Sequence, residues 1–381
     1  MKTFSIHPSI TEYETFKDFA ADAGLGESDL IFTNEFIYDP FIRPANLPCP
    51  ALFQERYGQG EPTDEMIDAI RMDFPAGIKR VIAVGGGTVI DIAKLLILEP
   101  VSDQSLPSKG LTEAMVTKAV DVEKTKTLLC VPTTCGTGSE VTNVAITALL
   151  QKQTKMGLAL DCMYPDKAVL VPEMIATLPY KFFATSSVDA MVHCVESFLS
   201  PKATDYSAIF SIQGIKTIVA HYRQVVQNGL ETWSDHAAAF LKASNYGGIA
   251  FGNAGCAAVH ALSYPLSGQY HIPHGEANML MFEAVIRKYI EKQPVGRINE
   301  LEDVLAEAFD TDTTEGIWDR LFQLLNDILK RNPLNHYGIK ESDLEVFTES
   351  VIAGQQRLLV NNYVELDHAD MMDIYRSCYD S

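Results

Sequence analysis

The sequence predicts an α/β domain built on a parallel sheet, followed by an all-helical domain. Two observations carry the prediction. Up to about residue 175, short apolar runs rich in β-branched residues alternate with stretches of helical periodicity, as strand–helix–strand units require. Beyond about residue 178 the strand signal fades and helical periodicity continues. The boundary falls at Leu178-Pro179, giving domains 1–178 and 179–381.

Four strands are expected in order: Leu30-Ile31-Phe32-Thr33, Arg80-Val81-Ile82-Ala83-Val84, Thr127-Leu128-Leu129-Cys130-Val131 and Ala168-Val169-Leu170-Val171. Their near-continuous apolar character suits a sheet covered on both faces. Thr63–Asp73 and Asp91–Leu98 are expected helices between them. In the second half, helices are expected over Asp189–Leu199, Ala208–Val226, His236–Ala250, Glu276–Lys292, Trp318–Lys330 and Leu344–Val360. Ser342-Asp343-Leu344-Glu345 reads as a capping box for the last, and Asn332-Pro333 ends its predecessor.

The chain has 381 residues, 47% of them apolar, enough for two cores. Fifty acidic residues against thirty basic ones give a net charge of -20. That charge repels phosphate backbones and anionic headgroups, so neither nucleic acid nor membrane is an expected partner. No apolar run approaches the ~20 residues of a bilayer span, and the N-terminus lacks a signal peptide's apolar core. Seven cysteines are scattered without a C-x-x-C pair, so no disulfide framework or cysteine zinc site is expected. These features read as a reduced, soluble, cytoplasmic protein.

Two glycine-rich loops follow strands. Gly85-Gly86-Gly87-Thr88 comes directly after Val84 and opens a helix, with Thr88-x-x-Asp91 as its expected cap. Glycines let the backbone approach a ligand, and a helix N-terminus offers free N–H groups to a pyrophosphate. The pattern departs from G-x-G-x-x-G, since Ile90 stands where the third glycine belongs. A plain strand-to-helix turn would use the same residues. The second loop, Val131-Pro132-Thr133-Thr134-Cys135-Gly136-Thr137-Gly138-Ser139-Glu140, offers hydroxyls and bare amides suited to ribose and phosphate. Neither loop is a Walker A motif, which argues against phosphoryl transfer.

The helical half carries a possible metal set. Asp189 and His193 stand four apart on one helix face, with Glu196 on the same face. Val259-His260-Ala261-Leu262-Ser263-Tyr264-Pro265 and Tyr270-His271-Ile272-Pro273-His274-Gly275-Glu276 add three histidines near proline turns. A carboxylate with several imidazoles suits Fe²⁺ or Zn²⁺. An Asp–His pair at this spacing is also a common helix-surface contact. His7, His221, His236, His336 and His368 have no such company and are expected to be structural or at the surface.

Taken together, these segments resemble the iron-containing (group III) alcohol dehydrogenase family over nearly the whole chain. The specific parts are Gly85 to Lys94, Pro132 to Thr142, Asp189-Ala190-x-x-His193, and His260 with His274-Gly275. Within the family, the stretches around His260 and His274 and Gln356-Arg357-Leu358-Leu359-Val360-Asn361-Asn362-Tyr363 look like its 4-hydroxybutyrate dehydrogenase branch. The resemblance implies an N-terminal dinucleotide-binding domain and an all-α metal-binding domain. It implies NAD and Fe²⁺, with Zn²⁺ as an alternative ion, and a metal held by Asp189, His193, His260 and His274. The expected cofactor contacts are Asn34, Gly86, Gly87, Thr88, Asp91, Thr133, Thr134, Thr137 and Lys155. A small alcohol or aldehyde is the expected substrate, here 4-hydroxybutyrate and succinate semialdehyde, and the expected assembly is a homodimer.

Three departures stand out. Thr33-Asn34 replaces a Thr-Asp pair that binds the adenosine ribose, which loosens the choice of NAD over NADP; Glu35 is the expected substitute. Tyr264 stands where many members have a histidine, so the proton relay is expected from His271 or Tyr264. Ser187 replaces a glycine two residues before Asp189. Gly247 to Glu283 contains no Lys or Arg, which makes Arg357 the expected partner of a substrate carboxylate, on a partly buried helix. A structural ion pair with Glu365 is the alternative for Arg357. Asn143 and Phe251 complete the expected substrate residues. Two other classes stay open at this point: a zinc-dependent lyase or cyclase on a related scaffold, and a non-catalytic metal-binding protein.

Overall fold

Six short parallel strands form the sheet of the N-terminal half. They are β1 (Ser9–Glu12), β2 (Asp29–Thr33), β3 (Ala51–Phe53), β4 (Arg80–Gly85), β5 (Thr127–Pro132) and β6 (Lys167–Leu170). The order across the sheet is β1-β6-β5-β4-β2-β3, with Arg80 opposite Thr127 and Gly85 opposite Pro132. The structure is a computed structural model that describes residues 2–102, 110–152 and 154–380. The chain divides into two units, one of Ile6–Thr134 with Gly138–Leu178, the other of Met1–Ser5, Cys135–Thr137 and Pro179–Ser381.

In the α/β unit the central strands are apolar throughout because both faces are covered. One face packs Leu30, Phe32, Val81, Ala83 and Leu128 against α2 (Asp64–Met72) and α3 (Gly87–Leu96). The other packs Ile31, Ile82, Val84 and Leu129 against Phe16 and Phe19 of α1 (Phe16–Asp22). The expected α/β architecture is therefore present, and adjacent β4 and β5 both deliver their glycine-rich loops at their carboxyl ends, where parallel sheets bind ligands. Two antiparallel strand pairs, Leu98–Pro100 with Val122–Lys124 and Val144–Leu149 with Thr154–Ala159, accompany the sheet.

The second unit is helical: α4 (Tyr180–Leu199), α5 (Asp205–Asn228), α6 (Ala237–Ala254), α7 (Ala258–Tyr270), α8 (His274–Lys292), α9 (Arg297–Ala308), α10 (Ile317–Ile328), α11 (Glu341–Gly354), α12 (Gln356–Leu359) and α13 (His368–Ser377). Helix α4 is buried nearly all round, from Phe183 to Leu199, as a central helix must be.

Several local expectations are corrected. Helix α4 begins at Tyr180, well before Asp189, because Phe183, Ala184 and Val188 are also buried. Val259–Pro265 is not a proline turn: His260 stands on α7, which contains Pro265. Burial of Val259, Leu262 and Leu266 offsets the missing hydrogen bond. The helix expected over Leu344–Val360 breaks at Gln355 into α11 and α12. Its start is Glu341 rather than a Ser342 cap, with the Lys340 N–H donating to Asp343 Oδ2 at 2.8 Å. Helices α9 and α13 were not expected, although Asp367 and Asp370 cap α13 reciprocally at 2.9 Å.

Candidate functional site

In the helical unit, three helices bring one set of donors together. Asp189 and His193 face the same way from α4, while His260 comes from α7 and His274 from the first turn of α8. Asp189 Oδ1 lies 3.5 Å from His260 Nε2 and 3.7 Å from His274 Nε2. His193 Nε2 lies 3.0 Å from His260 Nε2. Bonds of about 2.1 Å to one ion give ligand edges of roughly this length. By proximity the donors form two overlapping trios, Asp189/His260/His274 and His193/Cys256/His260.

Hydrogen bonds behind the donors set their tautomers. His193 Nδ1 donates to the Gly136 carbonyl at 3.2 Å, and His260 Nδ1 donates to Glu196 Oε2 at 2.6 Å. Both Nε2 atoms are then lone-pair donors facing each other, an arrangement that calls for a cation between them. The residues thus fit a divalent ion. Glu196, noted in the sequence only for its helix face, also accepts the Ala257 and Val259 N–H groups at 2.9 and 2.6 Å. Asn278 was missed altogether; its Nδ2 donates to Asp189 Oδ1 at 2.7 Å. Both roles depend on how α4, α7 and α8 pack, which no local spacing reveals.

The electrostatics agree. Burial opposes charge on Asp189, yet the imidazoles of His193, His274 and His260 outweigh it and hold the carboxyl well below the usual range. Burial likewise disfavours a charged His260, but Cys256, Glu196 and Asp189 raise its proton affinity well above the ordinary imidazole value. The pocket attracts positive charge. Asp189, His193 and His260 are only 3%, 4% and 3% exposed, whereas the His274 side chain is 36% exposed, so the cluster opens on the His274 side.

Two glycines make this closeness possible. A Cβ on Gly275 would sit 1.9 Å from the Thr185 carbonyl oxygen, so only glycine lets the start of α8 press against α4 beside Asp189. A Cβ on Gly136 would meet Ser186 O at 2.5 Å. Phe251 stacks on the His193 ring at 4.3 Å. The Tyr264 ring lies 6.1 Å from that of His274, and its hydroxyl accepts from Arg357 Nη2 at 3.1 Å. Arg357 is exposed on α12 rather than partly buried, and no ion pair with Glu365 forms. Among the described residues no carboxylate neutralises it. His271, the other expected relay, is exposed and left-handed at φ 55 where α7 ends.

In the α/β unit, Gly86 is the N-cap of α3 without a side-chain cap, and a Cβ there would meet Thr134 Cγ2 at 3.3 Å. Thr88 does not cap the helix with Asp91. Asp91 lies within α3, where its carboxylate accepts from Ser139 Oγ at 2.5 Å and the Ile146 N–H at 3.0 Å. Lys94, fully buried, donates to Ser139 Oγ, Thr142 Oγ1 and the Val144 carbonyl, tying the second loop to α3. Burial lowers the Lys94 pKa, partly countered by Asp91. Gly86 and Gly87, with Thr134 alongside, head a helix that has no side-chain cap, which fits a pyrophosphate, whereas the Thr133 N–H is already given to the Gly85 carbonyl at 3.1 Å. Thr137 groups with the helical unit, as does Cys135, whose thiol burial pushes up to about 12.

Four further expected residues are already engaged. Asn34 Nδ2 donates to Gln54 Oε1 at 3.0 Å and Glu55 Oε2 at 2.8 Å. Glu35 pairs with Arg56, so Glu55 rather than Glu35 is the carboxylate beside Asn34. Lys155 pairs with Glu61, and Asn143 Nδ2 lies 3.5 Å from Asp161 Oδ1. His221 and His236, expected to be solitary, meet Nδ1 to Nδ1 at 2.9 Å because Leu230–His236 folds back on α5.

Comparison with known proteins agrees with this geometry. Residues 13–172 match the family described as iron-containing alcohol dehydrogenase, and residues 183–379 match the C-terminal part of the Fe-containing alcohol dehydrogenase family. The chain belongs to the iron-containing alcohol dehydrogenase family. It is 47% identical over 380 residues to a 4-hydroxybutyrate dehydrogenase of Clostridium kluyveri, covering 100% of both chains. A 4-hydroxybutyrate dehydrogenase of Cupriavidus necator is 31% identical over 243 residues, 62% of either chain. The crystal structure of sulfoacetaldehyde reductase from Bifidobacterium kashiwanohense in complex with NAD+ superposes with TM-score 0.84 over 99% of this chain and 98% of that one, at 20% identity. Membership of an alcohol dehydrogenase family sets aside the lyase and the non-catalytic alternatives.

Proposed function

We propose that this chain is an NAD-dependent dehydrogenase that interconverts 4-hydroxybutyrate and succinate semialdehyde. The observation that carries the reading is the Asp189/His193/His260/His274 cluster, buried except at His274, with Arg357 reaching Tyr264 beside it, in a chain 47% identical to the Clostridium kluyveri enzyme. A divalent ion on these four side chains, Fe²⁺ by family, supplies Lewis acidity that lowers an alcohol's hydroxyl pKa and polarises a carbonyl. NAD would supply the hydride acceptor, and Gly86, Gly87 and the head of α3 would hold its pyrophosphate.

The chain's own groups do the rest. Glu196 and the Gly136 carbonyl fix the imidazoles in the tautomers that aim Nε2 inward. Phe251 covers one side of His193 and excludes water there. We assign to the Tyr264 hydroxyl the passage of the alcohol proton toward solvent, supported by its ring lying 6.1 Å from that of His274. Arg357 supplies the unneutralised guanidinium for the far carboxylate. The reading includes a cytoplasmic homodimer without nucleic-acid or membrane partners, consistent with a net charge of -20. Among the described residues no helix is long and apolar enough to cross a membrane.

The test is iron-loaded enzyme with NADH and either succinate semialdehyde or a neutral aldehyde of the same length. Succinate semialdehyde should be strongly preferred. Arg357→Ala should cost about tenfold in kcat/KM on it, the low end for a charge-assisted bond because Arg357 is exposed, and spare the neutral aldehyde. A wild type with no preference between the two aldehydes would refute the substrate assignment.

A further inference from the structure

We infer that Cys256 gives the metal cluster a second, softer donor face, on which a thiophilic divalent ion such as Zn²⁺ or Cd²⁺ is held by His193, His260 and the Cys256 sulfur. The inference rests on reading the cluster as a metal centre. Cys256 Sγ and one nitrogen from each of His193 and His260 lie within 4.8 Å of one another, all three residues buried. His260 is shared with the Asp189/His260/His274 trio, so one imidazole serves two donor sets of different hardness. Carboxylate and imidazole suit Fe²⁺, whereas a thiolate with two imidazoles is a preferred set for zinc.

The cysteine is held in place from three sides. Gly255 precedes it at φ +81, and a Cβ there would meet Asn361 Nδ2 at 2.4 Å, so the turn between α6 and α7 admits only glycine comfortably. Asn361 Nδ2 donates to the Cys256 carbonyl at 2.8 Å. Glu196 Oε2 takes the next N–H, that of Ala257, at 2.9 Å. Glu196 therefore orients His260 and anchors the backbone beside the sulfur at once. Cys256 is a free thiol, so no disulfide competes for the sulfur.

On ligation the thiol gives its proton to solvent and the sulfur becomes an anionic ligand. Zinc and iron then compete through His193 and His260, and zinc takes a donor set that leaves Asp189 and His274 behind. Tight zinc binding and good turnover are thus separate properties of this chain.

The experiment is Co²⁺ titration of the full-length, chelator-stripped protein under anaerobic conditions, followed by absorption. One cobalt per chain should bind with a thiolate-to-cobalt charge-transfer band in the near ultraviolet. Cys256→Ser should lose the band and weaken Cd²⁺ relative to Fe²⁺ binding by about tenfold or more. If that variant fails to fold, zinc X-ray absorption of the wild type should show one sulfur at about 2.3 Å. Cobalt bound stoichiometrically without the band, or a zinc shell of nitrogen and oxygen only, overturns the role of Cys256 and leaves the metal centre standing. Failure to bind cobalt at all overturns both.

Discussion

The glycine cradle of the α/β unit and the donor cluster of the helical unit use opposite materials. At the cradle the groups proposed to meet the cofactor are backbone amides, and the nearby side chains are consumed in internal bonds. Asp91 takes Ser139 and Ile146, and buried Lys94 takes Ser139, Thr142 and Val144. At the cluster the side chains themselves face inward, and it is the backbone and Glu196 that hold them from behind. A cradle of backbone tolerates side-chain change around it but not an added Cβ. A cluster of side chains fails when any ligand or its support is removed.

The two regions should therefore respond differently to one methyl group. Gly275→Ala puts a carbon 1.9 Å from Thr185 O, forcing α8 away from α4 and His274 away from Asp189. We expect loss of bound metal, loss of turnover and about 3 kcal/mol of stability, by metal analysis and denaturant unfolding. Gly86→Ala meets Thr134 at 3.3 Å, a contact a side-chain methyl can relieve. It should raise the KM for NAD while metal content stays full. Equal metal loss in both variants would break the distinction.

A smaller effect is expected behind the ligands. Glu196→Gln keeps the shape but removes the charge that orients His260, and should weaken metal binding about 10- to 100-fold in chelator competition. An unchanged affinity would reduce Glu196 to a cap for α7.

The smallest expected effect is on pH dependence. Burial, then neighbouring His236, lowers the His221 pKa, so the folded protein binds fewer protons there than the unfolded chain. That stability is present above about pH 6.5 and is lost as pH falls through the folded value. In the metal-loaded protein, amide exchange over Leu230–His236 should reveal a loss of protection between pH 7 and 5.5, absent in His221→Gln. Burial opposes charge on Asp29, but Arg80 and the Gly26 N–H outweigh it and hold its carboxyl low, so its contribution fades only below about pH 3.8.

The same contrast explains what could be read from the sequence. Strands β2, β4, β5 and β6 were legible because each is buried on both faces and so is apolar in unbroken runs. The glycine loop at Gly85-Gly86-Gly87 was legible as a close strand-to-helix turn, because such a turn leaves a local glycine signature. Asp189 and His193 were legible as a pair at helical spacing, and His260 and His274 through resemblance. Helix α7 was hidden by Pro265, and the break at Gln355 by the apolar residues either side of it. Asn278, Cys256 and the second role of Glu196 were not legible, because each exists only where α4, α7 and α8 meet. The His221–His236 contact is likewise a product of chain reversal.

The most direct test of the metal-centred account measures iron content and NADH-linked turnover of succinate semialdehyde in the same samples. Wild type and His274→Ala would be stripped with chelator and reloaded anaerobically with Fe²⁺. Turnover in the wild type should rise in proportion to bound iron, toward one per chain, while folded His274→Ala should gain neither iron nor activity. Full turnover in stripped wild type, or in His274→Ala without bound metal, would contradict the account.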